Sequence, residues 1–357
     1  MARAVVHSFA ELQAEVDAQL AERAEQRSWR FDGPRSVYET PGLHERLLAA
    51  APDMHRAVVD HIQLGREQRG STLTITLQVA YRESAAQYAA VMEKLRTLTA
   101  TLLRPTMSTH EQLLVIHDWL VANVAYDQSR VASTAYDGVI RGSTVCAGYA
   151  QATAYWCALV GIPVRIVDGE ANETRTPHAW NMVCLDGSWY HLDVTWGRPG
   201  SDAPTTHAAY SYYLLSDAEI RGDHTPLSEP GALPYPAARV RYLDALTQAL
   251  QQKHPASAFL RTIPQRIGLI YAEPRYTLVG QAALAEYLVR MYQQRQGNAT
   301  MRFVPRGDAR AEFQAAWQQA AKEFYGVGCS LSVSLLPYHR AGGARDVLLQ
   351  IAISWQG

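Results

Sequence analysis

Cysteine is scarce in this 357-residue chain, which has four: Cys146, Cys157, Cys184 and Cys329. They are too few and too scattered for a disulfide framework or a zinc site. The expectation is therefore free thiols, a cytoplasmic protein, no metal and no cofactor. An excess of charge of one sign is also missing. Lysine plus arginine total 33 against 34 aspartate plus glutamate, a net charge of −1, so no bulk field recruits nucleic acid or an anionic membrane. No apolar run reaches the roughly eighteen residues of a transmembrane helix. The opening MARAVVHSFAELQAEV lacks a long apolar stretch ending in a small-residue cleavage site, so it does not read as a signal peptide. A chain trimmed of its export signal would read the same. What is present is ordinary globular composition, 48% hydrophobic and 19% charged, on a chain long enough for two or three domains.

The flanks look alike. In the N-terminal part Phe9, Leu12, Val16 and Leu20 fall at helical spacing and SWRF reads as a short strand. PGLHERLLAAAPDMHRAVVDHI then reads as helical. STLTITLQVAY alternates Leu73, Ile75, Leu77 and Val79 on one face, the period of a half-buried strand. Shifting Leu12, Val16, Leu20 and Arg30–Phe31 by 272 residues lands without a gap on Leu284, Leu288, Tyr292 and Arg302–Phe303. A helix from about Asp308 to Tyr325, capped by Asp308, and a hairpin of CSLSVSLLPY and DVLLQIAISW follow. The plan is that of a duplicated small module, the kind that positions a substrate or partner. The expected division is 1–82 for an N-terminal module, 83–228 for a helical lead-in and central core, and 229–357 for a C-terminal module. Residues 198–207 read as a loop, and the Pro- and Gly-rich 224–239 as a domain boundary.

Chemistry concentrates in the centre. STHEQLLVIHDWLVANVAYD carries a Ser108–Glu111 capping box and an apolar stripe of Leu113, Ile116, Leu120 and Val124. His117 and Asp118 are neighbours there, and their side chains are expected to diverge. In GSTVCAGYAQATAYWCALVGIPVRIVDG, Ser143 or Thr144 can cap a helix from about Cys146 to Val160, with Gly161 as its stop. Cys146 then sits in the first turn, where unpaired amides and the positive dipole end favour a thiolate. Cys157 lies about three turns on, deep in the apolar stripe. Downstream, Asp186-Gly187 is a two-residue hairpin signal. With that loop His178 opposes Thr195, and His178 and Asp193 share a face, roughly 7–8 Å apart between backbones. A thiol at a helix start and a carboxylate-oriented imidazole are the ingredients of activated thiolate chemistry.

TVCAGYAQATAYWCALVGIPVRIVDG, HAWNMV and DGSWYHLDVTWGRP together resemble the transglutaminase-like superfamily, whose papain-like core gives Cys, His and Asp in that order. The resemblance extends through VIHDWLVANVAYD and YSYYLLSDAEI, about residues 108 to 220, and is to bacterial members more than to the large animal enzymes. No acidic cluster resembles the calcium sites of the latter. The resemblance implies an α+β fold, a helix bearing Cys146 packed on an antiparallel sheet bearing His178 and Asp193, flanked by two similar small α/β modules. It also implies Cys146 as nucleophile, His178 as base and Asp193 as orienting acid. A second oxyanion donor would come from upstream, with Trp119, Tyr126 and Tyr136 all available. Tyr149 and Trp180, next to the nucleophile and the base, are candidates for the walls of an acyl-binding groove or for aromatic packing. The expected substrate is a protein or peptide amide, with an amine or water as acceptor, and the partners include neither nucleic acid nor membrane. The alternative is a catalytically silent protein that uses this fold for binding.

Overall fold

The computed structural model describes residues 4–172, 174–197, 207–227, 233–324, 328–341 and 345–356. Its contacts divide the chain into two compact units. One comprises Met1–Gly187, Asp193–Thr195 and His224–Ala237; the other comprises Ser188–Leu192, Trp196–Asp223 and Ala238–Gly357.

The first unit begins with a small α/β layer. The Ser8 side chain accepts the Glu11 N–H and opens the helix Phe9–Ala21, whose Leu12, Val16 and Leu20 are fully buried. They pack on a four-stranded sheet ordered 5–6, 26–31, 72–81, 59–69. The first pair is parallel and the others antiparallel. Leu73, Ile75, Leu77 and Val79 join the same core, as strict alternation requires. Truncating a residue such as Leu12 to alanine costs about 2–5 kcal/mol in such a core. The helical reading of residues 41–62 holds only in part. The helix Leu43–Ala50 stops before Pro52, a single turn Asp53–Arg56 follows, and Val59–Arg69 is strand. Proline interrupts the helix, and the β-branched Val59 and Ile62 pair across to Tyr81 and Val79.

The centre of this unit holds the helices Ala85–Leu102 and Thr109–Asn123, each opened by a capping box, the second from Ser108 and Glu111. His117 and Asp118 do not diverge: His117 Nδ1 lies 3.1 Å from Asp118 Oδ1. The helix Cys146–Leu159 is buried over most of its length and packs on the antiparallel strands Val164–Ala171 and Thr176–Leu185. Ala150 and Ala154 meet Ile166 and Ala179, small side chains that let helix and sheet close up. Gly148 is required by the space. A Cβ there would lie 2.0 Å from Thr144 Oγ1 and 2.5 Å from the Thr134 carbonyl. Gly161, at φ +79°, ends the helix region. The short strand His224–Pro226 pairs with the other edge of Val164–Ala171.

In the second unit, Ser188–Leu192 and Tyr213–Leu215 are antiparallel strands, and a capping box from Ser216 and Glu219 opens Asp217–Ile220. Its terminal sheet is ordered 277–279, 298–304, 347–356, 328–337. The helix Gly280–Gln293 and the helix Ala309–Ala320, capped by the Asp308 side chain, share its core. This order of parallel and antiparallel pairings is the one found at the N-terminus. Val5 faces Arg30 and Thr277 faces Arg302, the two parallel pairs standing 272 residues apart along the chain. Of the loop read at 198–207, residues 198–206 lie outside the described residues, as do Tyr325 and residues 228–232. Among the described residues, no helix is long and apolar enough to cross a membrane.

Candidate active site

Cys146 is the first residue of its helix, and the capping position belongs to Val145 rather than to Ser143 or Thr144. Val145 has no side-chain oxygen to give. The Thr144 hydroxyl is turned instead to the carbonyls of Ala132 and Thr134. The capping position therefore offers no side-chain acceptor to the first-turn amides, and the positive end of the helix is directed at the half-buried sulfur.

His178 is carried by the strand Thr176–Leu185, opposite Gly169. That strand ends at Leu185, and Asp186 and Gly187 both have positive φ (49° and 79°), the backbone of a type I′ turn. The next strand stops at Leu192, earlier than the hairpin reading required. Thr195 opens a 3-10 turn, and Asp193 stands one residue past the strand end. The turn is tied down by Asp193 itself, whose Oδ1 accepts the Thr195 N–H at 2.9 Å. Its Oδ2 accepts from His178 Nε2 at 2.7 Å. The carboxylate can only accept, so the imidazole carries its proton on Nε2 toward Asp193. That leaves Nδ1 for the hydrogen bond His178 makes with Cys146.

These contacts set the charges. Burial pushes the Cys146 thiol up, but the hydrogen bond and charge of His178 and the Ala179 N–H outweigh it, and the net shift is down. Burial pushes His178 down, whereas the charge and hydrogen bond of Asp193 and the contact with Cys146 hold it well above its ordinary value. Burial of Asp193 works against its charge, but His178 and His224 bring it far below the usual carboxylate range. Both shifts favour a thiolate beside an imidazolium. Cys157, fully buried without such partners, is pushed up to about 12.

The remaining sequence candidates separate. Tyr149 and Trp180 are both buried, so neither offers a face to solvent. The Tyr149 hydroxyl donates to the Val124 carbonyl. The Trp180 ring stacks on His178 at 6.0 Å and 21°. Gly169 makes room for it, since a Cβ there would lie 2.5 Å from Trp180 Cη2. Of the three upstream donors, Trp119 packs edge-on against Trp156 and Tyr136 lies under the Arg141 guanidinium. Tyr126 is near enough to the thiol to feel its charge. Its strand residue faces Thr144, and its phenol is raised first by burial and next by the Cys146 charge.

Sequence reasoning missed His224. This histidine opens the stretch read as a domain boundary, yet it is fully buried and its Nε2 stands 3.1 Å from Asp193 Oδ2. No local signal marks it, because its partner lies 31 residues away. Among the described residues, His178, Asp193 and His224 bring three donor atoms within 4.8 Å of one another. The 2.7 and 3.1 Å spacings are those of hydrogen bonds. Tetrahedral zinc with bonds of about 2.0 Å separates its ligand atoms by roughly 3.3 Å. The cluster as built fits protons better than an ion.

Comparison with known proteins agrees with the fold. Residues 96–194 match the transglutaminase-like superfamily. This segment is a transglutaminase-like domain. The chain is 24% identical over 209 residues to kyphoscoliosis peptidase of Mus musculus, covering 51% of this chain and 32% of the mouse protein. The human protein of that name is 24% identical over 226 residues, 55% of this chain and 34% of its own length. The matched stretch thus spans about a third of those relatives. A solved structure of a TGase aligns at 13% identity and a TM-score of 0.30, covering 57% of this chain and 62% of that one. With the transglutaminase-like segment at its centre, the fold is α+β.

Proposed function

We propose that the transglutaminase-like domain is a thiol enzyme acting on amides, with Cys146 as nucleophile, His178 as acid and base, and Asp193 as the residue that orients His178. The observation that carries this reading is the continuous relay from the helix-start sulfur through His178 to the buried Asp193 carboxylate. The thiolate attacks the carbonyl carbon of a peptide or glutamine amide, forming a C–S bond and an oxyanion. The Cys146 N–H at the uncapped helix start and the Tyr126 hydroxyl are the donors available to that oxyanion. His178 gives its Nδ1 proton to the departing nitrogen as the C–N bond breaks, leaving a thioester. Water or an amine then attacks with His178 as base, and the thiol is regenerated. Water makes the enzyme a protease or deamidase; an amine makes it a transferase. The flanking modules supply surface for holding a protein substrate.

Iodoacetamide tests the first half-reaction. Cys146 should be alkylated at about pH 6 far faster than Cys157 or Cys184. Equal, slow labelling of all three would leave a silent binding protein as the better reading. Incubation with an amine probe and a glutamine-containing protein tests the second half. Adducts indicate transfer, and released peptides or ammonia alone indicate hydrolysis.

A further inference from the structure

We infer that His224 is a positioning residue of this relay: a second imidazole donor on Asp193 that limits how strongly the carboxylate holds His178. The inference rests on the proposed thiol chemistry and adds a residue to it. Asp193 Oδ2 is shared. His178 Nε2 reaches it at 2.7 Å and His224 Nε2 at 3.1 Å, while Thr195 N–H occupies Oδ1 at 2.9 Å. An ionised carboxylate has only lone pairs, so both imidazoles must present Nε2–H to it. The tautomer of His224 is thereby set by Asp193.

The position of His224 is built rather than incidental. Its strand places it opposite Ala171, on the edge of Val164–Ala171 away from the strand that carries His178. Trp180 braces both rings, lying stacked on His178 and edge-on to His224 at 5.1 Å. His224 and Asp193 are both fully buried, so the shared oxygen is shielded from bulk solvent. Two donors on one oxygen divide its negative charge, and each bond is weaker than it would be alone. An acid that must release its proton to a leaving amine works best when it is not held too tightly. His224 spends part of the Asp193 charge so that His178 remains able to let go. Among the described residues, the ionisable groups that act on this cluster include Cys146 and Tyr126, and the charges of Asp127 and Arg130 act on Tyr126 in turn.

The test uses the full chain and the pH dependence of Cys146 alkylation by iodoacetamide. Its lower inflection reports formation of the thiolate, and its upper inflection reports loss of the His178 proton. His224→Phe keeps a ring of similar size but no donor, and should move the upper inflection up by about half a pH unit or more. His224→Gln, whose amide restores an N–H donor, should bring it back toward the wild-type position. A packing role alone would lower the melting temperature of both variants and leave the inflections in place. An unmoved or lowered upper inflection in His224→Phe overturns the inference. If His224→Phe does not fold, the imidazole nitrogens of ¹⁵N-histidine-labelled wild-type protein decide it by NMR. A protonated, hydrogen-bonded Nε2 on His224 at neutral pH is expected, and the Nδ1–H tautomer overturns the assignment. Absence of fast alkylation in the wild type would instead sink the thiol-enzyme reading, while the NMR experiment would still test the hydrogen bond from His224 to Asp193.

Discussion

Cys146 and Cys157 lie on the same helix, within the same apolar sequence, and the structure gives them opposite chemistry. Cys146 begins the helix, where Val145 supplies no capping oxygen and His178 and the Ala179 N–H meet the sulfur. Cys157 lies three turns along, fully buried, with burial alone acting on it. One thiol is drawn toward its anion and the other is pushed up to about 12. Residue type and local hydrophobicity are shared, so neither explains the difference. Position along the helix and a partner brought in by the sheet do.

That contrast breaks most completely with Cys146→Ala. It should abolish turnover and the fast phase of alkylation while leaving Cys157 as inert as before, as peptide mapping of the labelled protein will report. Asp193→Asn comes next. It keeps the shape but favours the wrong His178 tautomer, and a loss in rate of about ten-thousand-fold is expected, accompanied by an alkylation profile in which Cys146 behaves more like Cys157. Tyr126→Phe removes a proposed oxyanion donor without touching His178 or Asp193. Steady-state kinetics should show kcat down by about a hundredfold with the pH profile of alkylation retained. Gly148→Ala acts on the helix start that separates the two cysteines. Its Cβ meets Thr144 and Thr134, and chemical denaturation should register a loss of about 1–3 kcal/mol together with slower Cys146 labelling. Cys157→Ala gives the smallest effect, a cavity cost of about 1 kcal/mol in the same measurement, with the fast phase untouched.

The pH dependence has a definite sign. The Cys146 thiol is lowered and the His178 imidazolium raised, so the ion pair persists below the ordinary thiol range and is lost as pH rises past the raised His178 value. Fast labelling in mild acid follows from the first shift. The second places the loss of general-acid function on the alkaline side.

Much of this arrangement is legible in the sequence. The helix start at Cys146 is marked by small residues and an apolar stripe, and Gly161 marks its end. Asp186-Gly187 specifies a two-residue turn that brings the chain back toward His178, although Asp193 itself is placed by the turn past the strand end. Where the reading departed from the structure, the causes are identifiable. Thr144 looked like a cap because cap residues are recognised by type, but its hydroxyl is committed to two carbonyls across the loop. Thr195 read as strand because the two-residue loop pairs it with His178, but an Asp193 side chain bonded to the Thr195 amide curls the chain first. Val59 and Ile62 fit a helical pattern that Pro52 had already interrupted. Nothing in the sequence separates Tyr126 from Trp119 and Tyr136, because the pairing of its strand with Ser143–Thr144 is a tertiary feature. His224 sat among prolines and glycines, a composition that says turn and nothing of a buried partner 31 residues back.

The unit that holds the site is not a continuous stretch of chain: Asp193–Thr195 and His224–Ala237 return to it after intervening segments that belong to the other unit. This discontinuity imposes an order on biosynthesis. The nucleophile leaves the ribosome 47 residues before Asp193 and 78 before His224, so a nascent chain carries its thiol well before the groups that would arm it. Contacts of such sequence separation form late. The cluster of Cys146, His178, Asp193 and His224 is therefore complete only after His224 has emerged and found its place, and a chain interrupted before that point holds a cysteine without its full retinue.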